Sequence, residues 1–268
     1  MSEGLHPYSR VAAHDTGAGS APVSLPEETP VAVVYNGSTQ AVMMTTPADI
    51  EDFARGFTIT EGFAEAHEIG DVEIVGQENG IEARIWLPED RQAALDARRR
   101  AQVGPVGCGL CGIDSLAQAA REVRAVPASG LVLAVSEIAA ALDGLRTRQP
   151  LHDETRAVHA AGFYVPGQGI VLAREDVGRH NALDKLAGAM AAAGTDPASG
   201  AIVLTSRLSL EMVQKTAMIG APLMLSVSQP TAHAVRLAEE AGIALVTHNR
   251  HGTRIFTHHA RIGAAHVL

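Results

Sequence analysis

The sequence predicts an α/β protein, a mixed and mostly parallel sheet with helices on both faces, preceded by a smaller α+β subdomain. Three observations carry this. Apolar residues make up 46% of the 268, and aromatics only 3%, the composition of a core built from Ala, Val, Leu and Ile. From about His159 onward, short apolar runs alternate with amphipathic stretches, the signature of strands covered by helices. Before that point the chain is richer in hairpin signals.

Residues 1–29 are rich in Gly, Ala, Ser and Pro without a clear period and read as a flexible tail. An N-terminal subdomain is expected over 30–101. Val31, Val33 and Tyr35 alternate, Asn36-Gly37 makes a turn, and Ala41 to Met44 returns. Thr46-Pro47 reads as a helix N-cap with proline in the first position, leading into Ile50, Phe53, Ala54 and Phe57. Two strands joined through Asn79-Gly80 follow, then a polar helix over 88–101 whose Arg98-Arg99-Arg100 run suits a solvated face. A glycine-framed loop over 102–112 runs into a helix at 113–123. Ser136 is expected to cap a helix reaching Leu145. The α/β domain, 113–268, continues with a hairpin around Pro166 to Gly169 and helices over 181–192, 209–219 and 231–241. Strands are expected at 201–204, 223–227 and 243–246.

The formal net charge is −9, which disfavours broad attraction to nucleic acid. No apolar run approaches the roughly 18 residues of a membrane span, and no signal-like segment opens the chain. A cytoplasmic protein without membrane or nucleic-acid partners is expected.

Both cysteines of the chain lie in the 102–112 loop, as Cys108-Gly109-Leu110-Cys111. Four chemistries suit two thiols so close. Structural zinc needs four ligands, and no His pair follows at finger spacing. A thioredoxin-like pair belongs to a short strand-helix-strand unit, whereas about 100 residues precede this one. A zinc deaminase needs His-x-Glu before its cysteines; His152-Asp153-Glu154 comes after them, and position 107 is Gly instead of Pro. A sulfur carrier needs a thiolate of lowered pKa, which a helix N-terminus supplies, on a loop able to meet donor and acceptor.

Three polar segments follow predicted strands, where open α/β sheets bind ligands. The first, 174–181, holds Asp176, Gly178, Arg179, His180 and Asn181; capping by Asp176 or Asn181 is its plain alternative. The second, 205–209, holds Arg207 and Ser209; here the alternative is a simple Ser209 cap with Glu211 in the first turn. The third holds Thr247, His248, Asn249, Arg250, His251 and Gly252, with a surface loop as the alternative. Together they suit an anionic, hydrogen-bonding ligand such as a nucleotide. None forms a phosphate-loop or Gly-x-Gly-x-x-Gly motif.

From Pro30 onward the chain resembles the formate dehydrogenase accessory sulfurtransferases, the FdhD proteins. The resemblance rests on Thr46-Pro47-Ala48-Asp49 through Phe57, Thr60-Glu61-Gly62, Cys108 to Gly112, Glu175 through Lys185, Arg207 through Val213, and Pro230-Thr231. It implies a cytidine-deaminase-like main fold lacking the zinc site, and a homodimer. It implies sulfur transfer from a cysteine desulfurase to the molybdenum (or tungsten) bis-pterin guanine dinucleotide, before that cofactor enters formate dehydrogenase. Cys108 would carry the persulfide and Cys111 assist, with the pterin guanine dinucleotide held near the three polar segments. A non-catalytic cofactor-binding chaperone is the alternative. No intrinsic metal is expected. Thr205-Ser206-Arg207 stands where the family has Ser-Gly-Arg, and Arg156-Ala157 replaces two family glycines. A remodelled or narrower pocket is expected at those two loops.

Overall fold

The computed structural model describes residues 6–15, 19–91 and 123–263. The cysteine loop 102–112, most of the polar helix 88–101 and the helix expected at 113–123 lie outside the described residues.

The N-terminal unit is a four-stranded sheet with one helix on it. Strands β3 (Thr29–Tyr35) and β4 (Ser38–Thr45) form the expected hairpin, and β5 (Val72–Gln77) and β6 (Gly80–Ile85) form a second. The order is β4-β3-β6-β5, with β3 and β6 parallel. Helix α1 (Ile50–Thr60) covers one face. Its Phe53 and Phe57 join Phe63, Tyr35, Val31, Val33 and Ile85 in a separate core. Four of the chain's nine aromatics, Tyr35, Phe53, Phe57 and Phe63, sit in this core, filling a small unit with few side chains.

The larger unit holds a six-stranded sheet. Its strands are β8 (His159–Val165), β9 (Gly169–Asp176), β10 (Ala201–Leu204), β11 (Leu223–Ser226), β12 (Ala244–Asn249) and β13 (Gly252–Ile255). The order is β13-β12-β11-β10-β8-β9. Parallel pairing is confined to β10–β11 and β11–β12, and the flanking pairs are antiparallel. The sheet is therefore mixed, with less parallel pairing than the sequence suggested. β13 was not foreseen, and β8–β9 is a longer hairpin than expected.

Both faces of this sheet are covered, and its central strands β10 and β11 are buried at every position. On one face Ala201, Val203, Leu223, Leu225, Ala244 and Val246 meet α2 (Val135–Arg146) through Ile138, Ala141 and Leu145. On the other, Ile202, Leu204, Met224 and Leu245 meet α4 (Arg179–Ala192), α5 (Leu210–Ile219) and α6 (Ala232–Ala241). A short α3 (Pro150–Thr155) precedes β8. The α2 start is tied by Glu137, whose Oε2 accepts the Ala134 N–H at 2.9 Å, and not by Ser136.

Residues 8–26, expected as part of a tail, pair as an antiparallel hairpin of β1 (Tyr8–Asp15) and β2 (Gly19–Pro26). Ser24 reaches Glu154 on α3. The sequence signal was weak because this ribbon has no core of its own: Val11, Val23 and Leu25 stay exposed. A last short pair joins β7 (Leu133–Ala134) to β14 (Ile262–Gly263).

The two units are joined through α4, whose residues Asn181 through Met190 are all buried. It is sandwiched between the large sheet and α1, so it shows no polar stripe. The crossing of α1 and α4 is glycine-mediated. A Cβ on Gly56 would lie 1.6 Å from the Asp184 carbonyl oxygen, and one on Gly188 would lie 1.9 Å from that of Asp52. The two backbones touch, and any side chain would force them apart.

A buried ionic cluster sits beside this crossing. Lys215 Nζ on α5 donates to Asp184 Oδ1 (2.8 Å), Glu61 Oε1 (2.7 Å) and Thr60 Oγ1 (3.0 Å). Burial alone would lower the lysine pKa, but the Asp184 and Glu61 carboxylates outweigh it and push it up. Lys215 is therefore held charged.

Two outcomes follow for chemical denaturation. Gly56→Ala should cost about 2–3 kcal/mol or more, since neither neighbouring backbone can yield cheaply. Lys215→Met should cost about 3–5 kcal/mol by leaving carboxylates buried and unpaired, and Asp184→Leu added to it should recover part of that loss. A double variant no better than Lys215→Met would show that the cluster acts through packing alone.

Candidate functional site

The carboxyl ends of β9, β10, β11 and β12 share one edge of the sheet. Leu204 pairs with Ser226, and Ser226 with Thr247. His159, at the start of antiparallel β8, pairs with Asp176. Thr205 closes the row on β8, where its hydroxyl accepts the Ala160 N–H at 2.9 Å. The topology thus brings all three polar segments of the sequence to one edge, as the rule for open sheets requires.

In the first segment the residues divide into two roles. Asp176 ends β9 and is fully buried, and its carboxylate is saturated. Oδ2 accepts the Thr46 N–H (2.9 Å) and Lys185 Nζ (2.7 Å); Oδ1 accepts the Gly178 N–H (2.8 Å) and Asn181 Nδ2 (3.0 Å). Asn181 also donates to the Met44 carbonyl at 2.8 Å, and Lys185 to that of Thr46 at 2.9 Å. Thr46 Oγ1 accepts the Val177 N–H at 3.1 Å. Asp176 and Asn181 lock the N-terminal unit onto the end of β9. Every bonding position of this carboxylate is taken within the protein.

The same lock explains why Thr46 does not cap α1. Its N–H, hydroxyl and carbonyl are all committed to the other unit, and the helix begins four residues later, at Ile50. Asp49 is the N-cap there, at φ 52. Nor do Asp176 or Asn181 cap α4, whose N-cap is Gly178. A Cβ on Gly178 would meet Asn181 Nδ2 at 2.7 Å, so the lock also requires a glycine there.

Arg179 and His180 open α4 beyond the lock and are only partly buried. Arg179 Nε is buried and without a hydrogen-bond partner among the described residues. His180 Nε2 lies 2.6 Å from Glu211 Oε2 on the first turn of α5. His180 lowers the Glu211 carboxyl below its ordinary value, and the Arg179 charge adds to this. His159 stands close by. Burial, then the charges of Arg179 and His180, push its imidazole down, toward the neutral form.

In the second segment Ser209 does occupy the N-cap of α5, but its hydroxyl makes no capping bond. Its Oγ is buried and unpartnered among the described residues. Arg207 is exposed at the loop tip. Ser206, where the resemblance led to a glycine being expected, is buried, and its hydroxyl donates to the Arg207 carbonyl at 3.4 Å. Ser226 holds the loop by donating to the Ser206 carbonyl at 2.7 Å. At the other departure, Arg156 ends α3 at φ 57, a left-handed position where glycine is cheaper.

The third segment is a strand end and a tight turn. Asn249 pairs with Gly252 across Arg250-His251, and Gly252 takes φ 100. Thr247 Oγ1 is buried and unpartnered among the described residues. His248 Nδ1 is 2.8 Å from Thr253 Oγ1, and Asn249 Oδ1 accepts the His251 N–H at 2.9 Å. Arg250 and His251 are exposed at the tip, with Arg250 Nε donating to His251 Nε2 at 3.1 Å.

The arrangement offers hydroxyls, a guanidinium Nε and the starts of two helices along one edge, with further arginines on the flanking tips. Such a set holds an anion bearing hydrogen-bonding groups. The orphaned Arg179 Nε, Ser209 Oγ and Thr247 Oγ1 are what such a ligand would satisfy. Two neighbours escaped sequence reasoning. Glu211 was visible only as a first-turn acid, and His159 carried no local signal beyond its place in a motif. Their proximity is a product of tertiary packing.

Comparisons with known proteins bear on this site. The model of the FdhD/NarQ family matches residues 26–263. A sulfur carrier protein FdhD of Agrobacterium fabrum is 51% identical over 224 residues, covering 83% of each chain. One of Cupriavidus necator is 48% identical over 239 residues, covering 89% of this chain and 83% of the relative. Among solved structures, that of a protein from Desulfotalea psychrophila, described as a formate dehydrogenase accessory protein, superposes with a TM-score of 0.72. It is 25% identical and covers 96% of this chain and 98% of its own.

The division of roles in the first segment has a measurable consequence. Asp176→Asn should cost about 3–5 kcal/mol in urea denaturation, because Lys185 is left charged and buried. Arg207→Ala should shift stability by less than about 0.5 kcal/mol. Equal losses from both would contradict the assignment of Asp176 to the lock.

Proposed function

The chain belongs to the FdhD/NarQ family, and on that premise we propose that it is a sulfur carrier serving formate dehydrogenase. The proposal takes cysteine desulfurase as donor and the molybdenum (or tungsten) bis-pterin guanine dinucleotide as the cargo that receives sulfur. The observation that supports the cargo reading is the single sheet edge on which Arg179 Nε, Ser209 Oγ and Thr247 Oγ1 stay unpartnered among the described residues. A guanine dinucleotide brings the phosphates and hydrogen-bonding edges such groups would take up. Arg207 and Arg250, exposed on the flanking loops, would add positive charge.

The chemistry falls to the two thiols of the 102–112 loop. The Cys108 thiolate attacks the terminal sulfur of the donor's persulfide. One S–S bond forms on Cys108 as the donor's breaks, the donor cysteine leaves as thiolate, and no net electrons move. For release, the Cys111 thiolate attacks Cys108 Sγ. The Sγ–S bond breaks, the outer sulfur departs as sulfide with both electrons, and a Cys108–Cys111 disulfide remains. An external dithiol then reduces that disulfide and restores the pair. Cytoplasmic location and a homodimer belong to the same proposal.

Incubation with a cysteine desulfurase and cysteine should add a dithiothreitol-labile mass of about 32 Da on Cys108, read by peptide mass spectrometry. Cys108→Ala should abolish maturation of formate dehydrogenase. No added mass, together with full maturation by the alanine variant, would replace the carrier by a cofactor-binding chaperone.

A further inference from the structure

Glu211 is a carboxylate at the sheet edge, where its charge opposes the anion that the hydroxyls and Arg179 of the edge suit. It sits on the first turn of α5, where the helix dipole favours an acid. The dipole does not account for its contact with a second helix. Glu211 Oε2 reaches His180 Nε2 at 2.6 Å, with both side chains largely out of solvent. Arg179 lies near enough that its charge helps depress the Glu211 carboxyl, so the acid is ionised. The other charged groups around the pair are accounted for. Lys215 is taken by Asp184 and Glu61, and Asp176 by Lys185. His159, held toward its neutral form, faces the same cluster. The remaining fixed cation here is therefore Arg179, and Glu211 is the carboxylate near it that contacts His180.

Building on the anionic-ligand reading above, we infer that Glu211 is the internal counter-ion of the site. It balances the Arg179 charge while no anion is bound. When an anion arrives, the carboxylate repels it across a half-buried space where screening is weak. Affinity is thereby held down, as a protein that must pass its ligand onward requires. Glu211 is thus an affinity-setting residue.

The test is isothermal titration of the full chain and its Glu211→Gln variant with two probes, inorganic pyrophosphate and GDP, alongside thermal denaturation without ligand. The amide keeps the shape and removes the charge. Both probes should bind on the order of tenfold tighter to the variant, while the ligand-free variant melts at a lower temperature. Glu211→Asp, which keeps the charge, should stay within about twofold of the parent protein, well under the tenfold that marks 1.4 kcal/mol. Glu211→Ala carries the same expectation as the amide should the latter fail to fold. Unchanged or weaker binding by the neutral variants would overturn the counter-ion role and leave Glu211 a structural tie. If pyrophosphate tightens as expected but GDP binds no better than pyrophosphate, the counter-ion role stands and the guanine part of the cargo reading fails. If neither probe binds either protein, both fall.

Discussion

The Asp176 carboxylate accepts four hydrogen bonds from two separate stretches of chain, Thr46 and the segment 178–185, and the site is assembled around it. It ends β9, fixes Gly178 at the mouth of α4, and receives Thr46 from the N-terminal unit and Lys185 from one turn inside the helix. Removing two charges from water is costly. Here that cost is offset because every lone pair finds a donor, and the result is a fixed angle at which α4 leaves the sheet. Arg179 and His180, the next residues, inherit their positions from it.

The α1–α4 crossing and the Lys215 cluster extend the same junction along the length of α4. Thr46, Thr60 and Glu61 on one side face Asp176, Asp184, Lys185 and Lys215 on the other. The polar groups of this seam are paired across it, and the apolar packing between them is close because glycine stands on both helices. An anion-binding edge benefits from such a frame, since helix starts held rigidly need no reordering when a ligand arrives.

Much of this was legible in the sequence. Alternating apolar and amphipathic stretches gave the sheet, its two helical faces and the common edge for the polar segments, because strand and helix periodicities are local properties. What stayed hidden was tertiary. Thr46 looks like a helix cap until its N–H is found bonded to a carboxylate 130 positions away. Asp176 and Asn181 are polar enough to suit a ligand, yet their bonds inside the protein could not be read from the sequence, because a buried lock and a binding site draw on the same residue types. Glu211 and His159 gain meaning only from neighbours on other elements. The hairpin over residues 8–26 lacks a buried face, so the periodicity that reveals other strands was absent.

The touching backbones at Gly56 and Gly188 bear on how the chain becomes a protein at all. Neither unit can satisfy itself alone: separated, the N-terminal part would expose a bare helix face and lose the partners of Thr46, Thr60 and Glu61, while the larger part would be left with the buried charges those residues hold. The two cores are distinct in space, yet they are completed by one shared helix that the ribosome delivers only after the whole N-terminal unit has emerged. The N-terminal unit thus gains the partners of Thr46, Thr60 and Glu61 only once α4 and α5 have been synthesised.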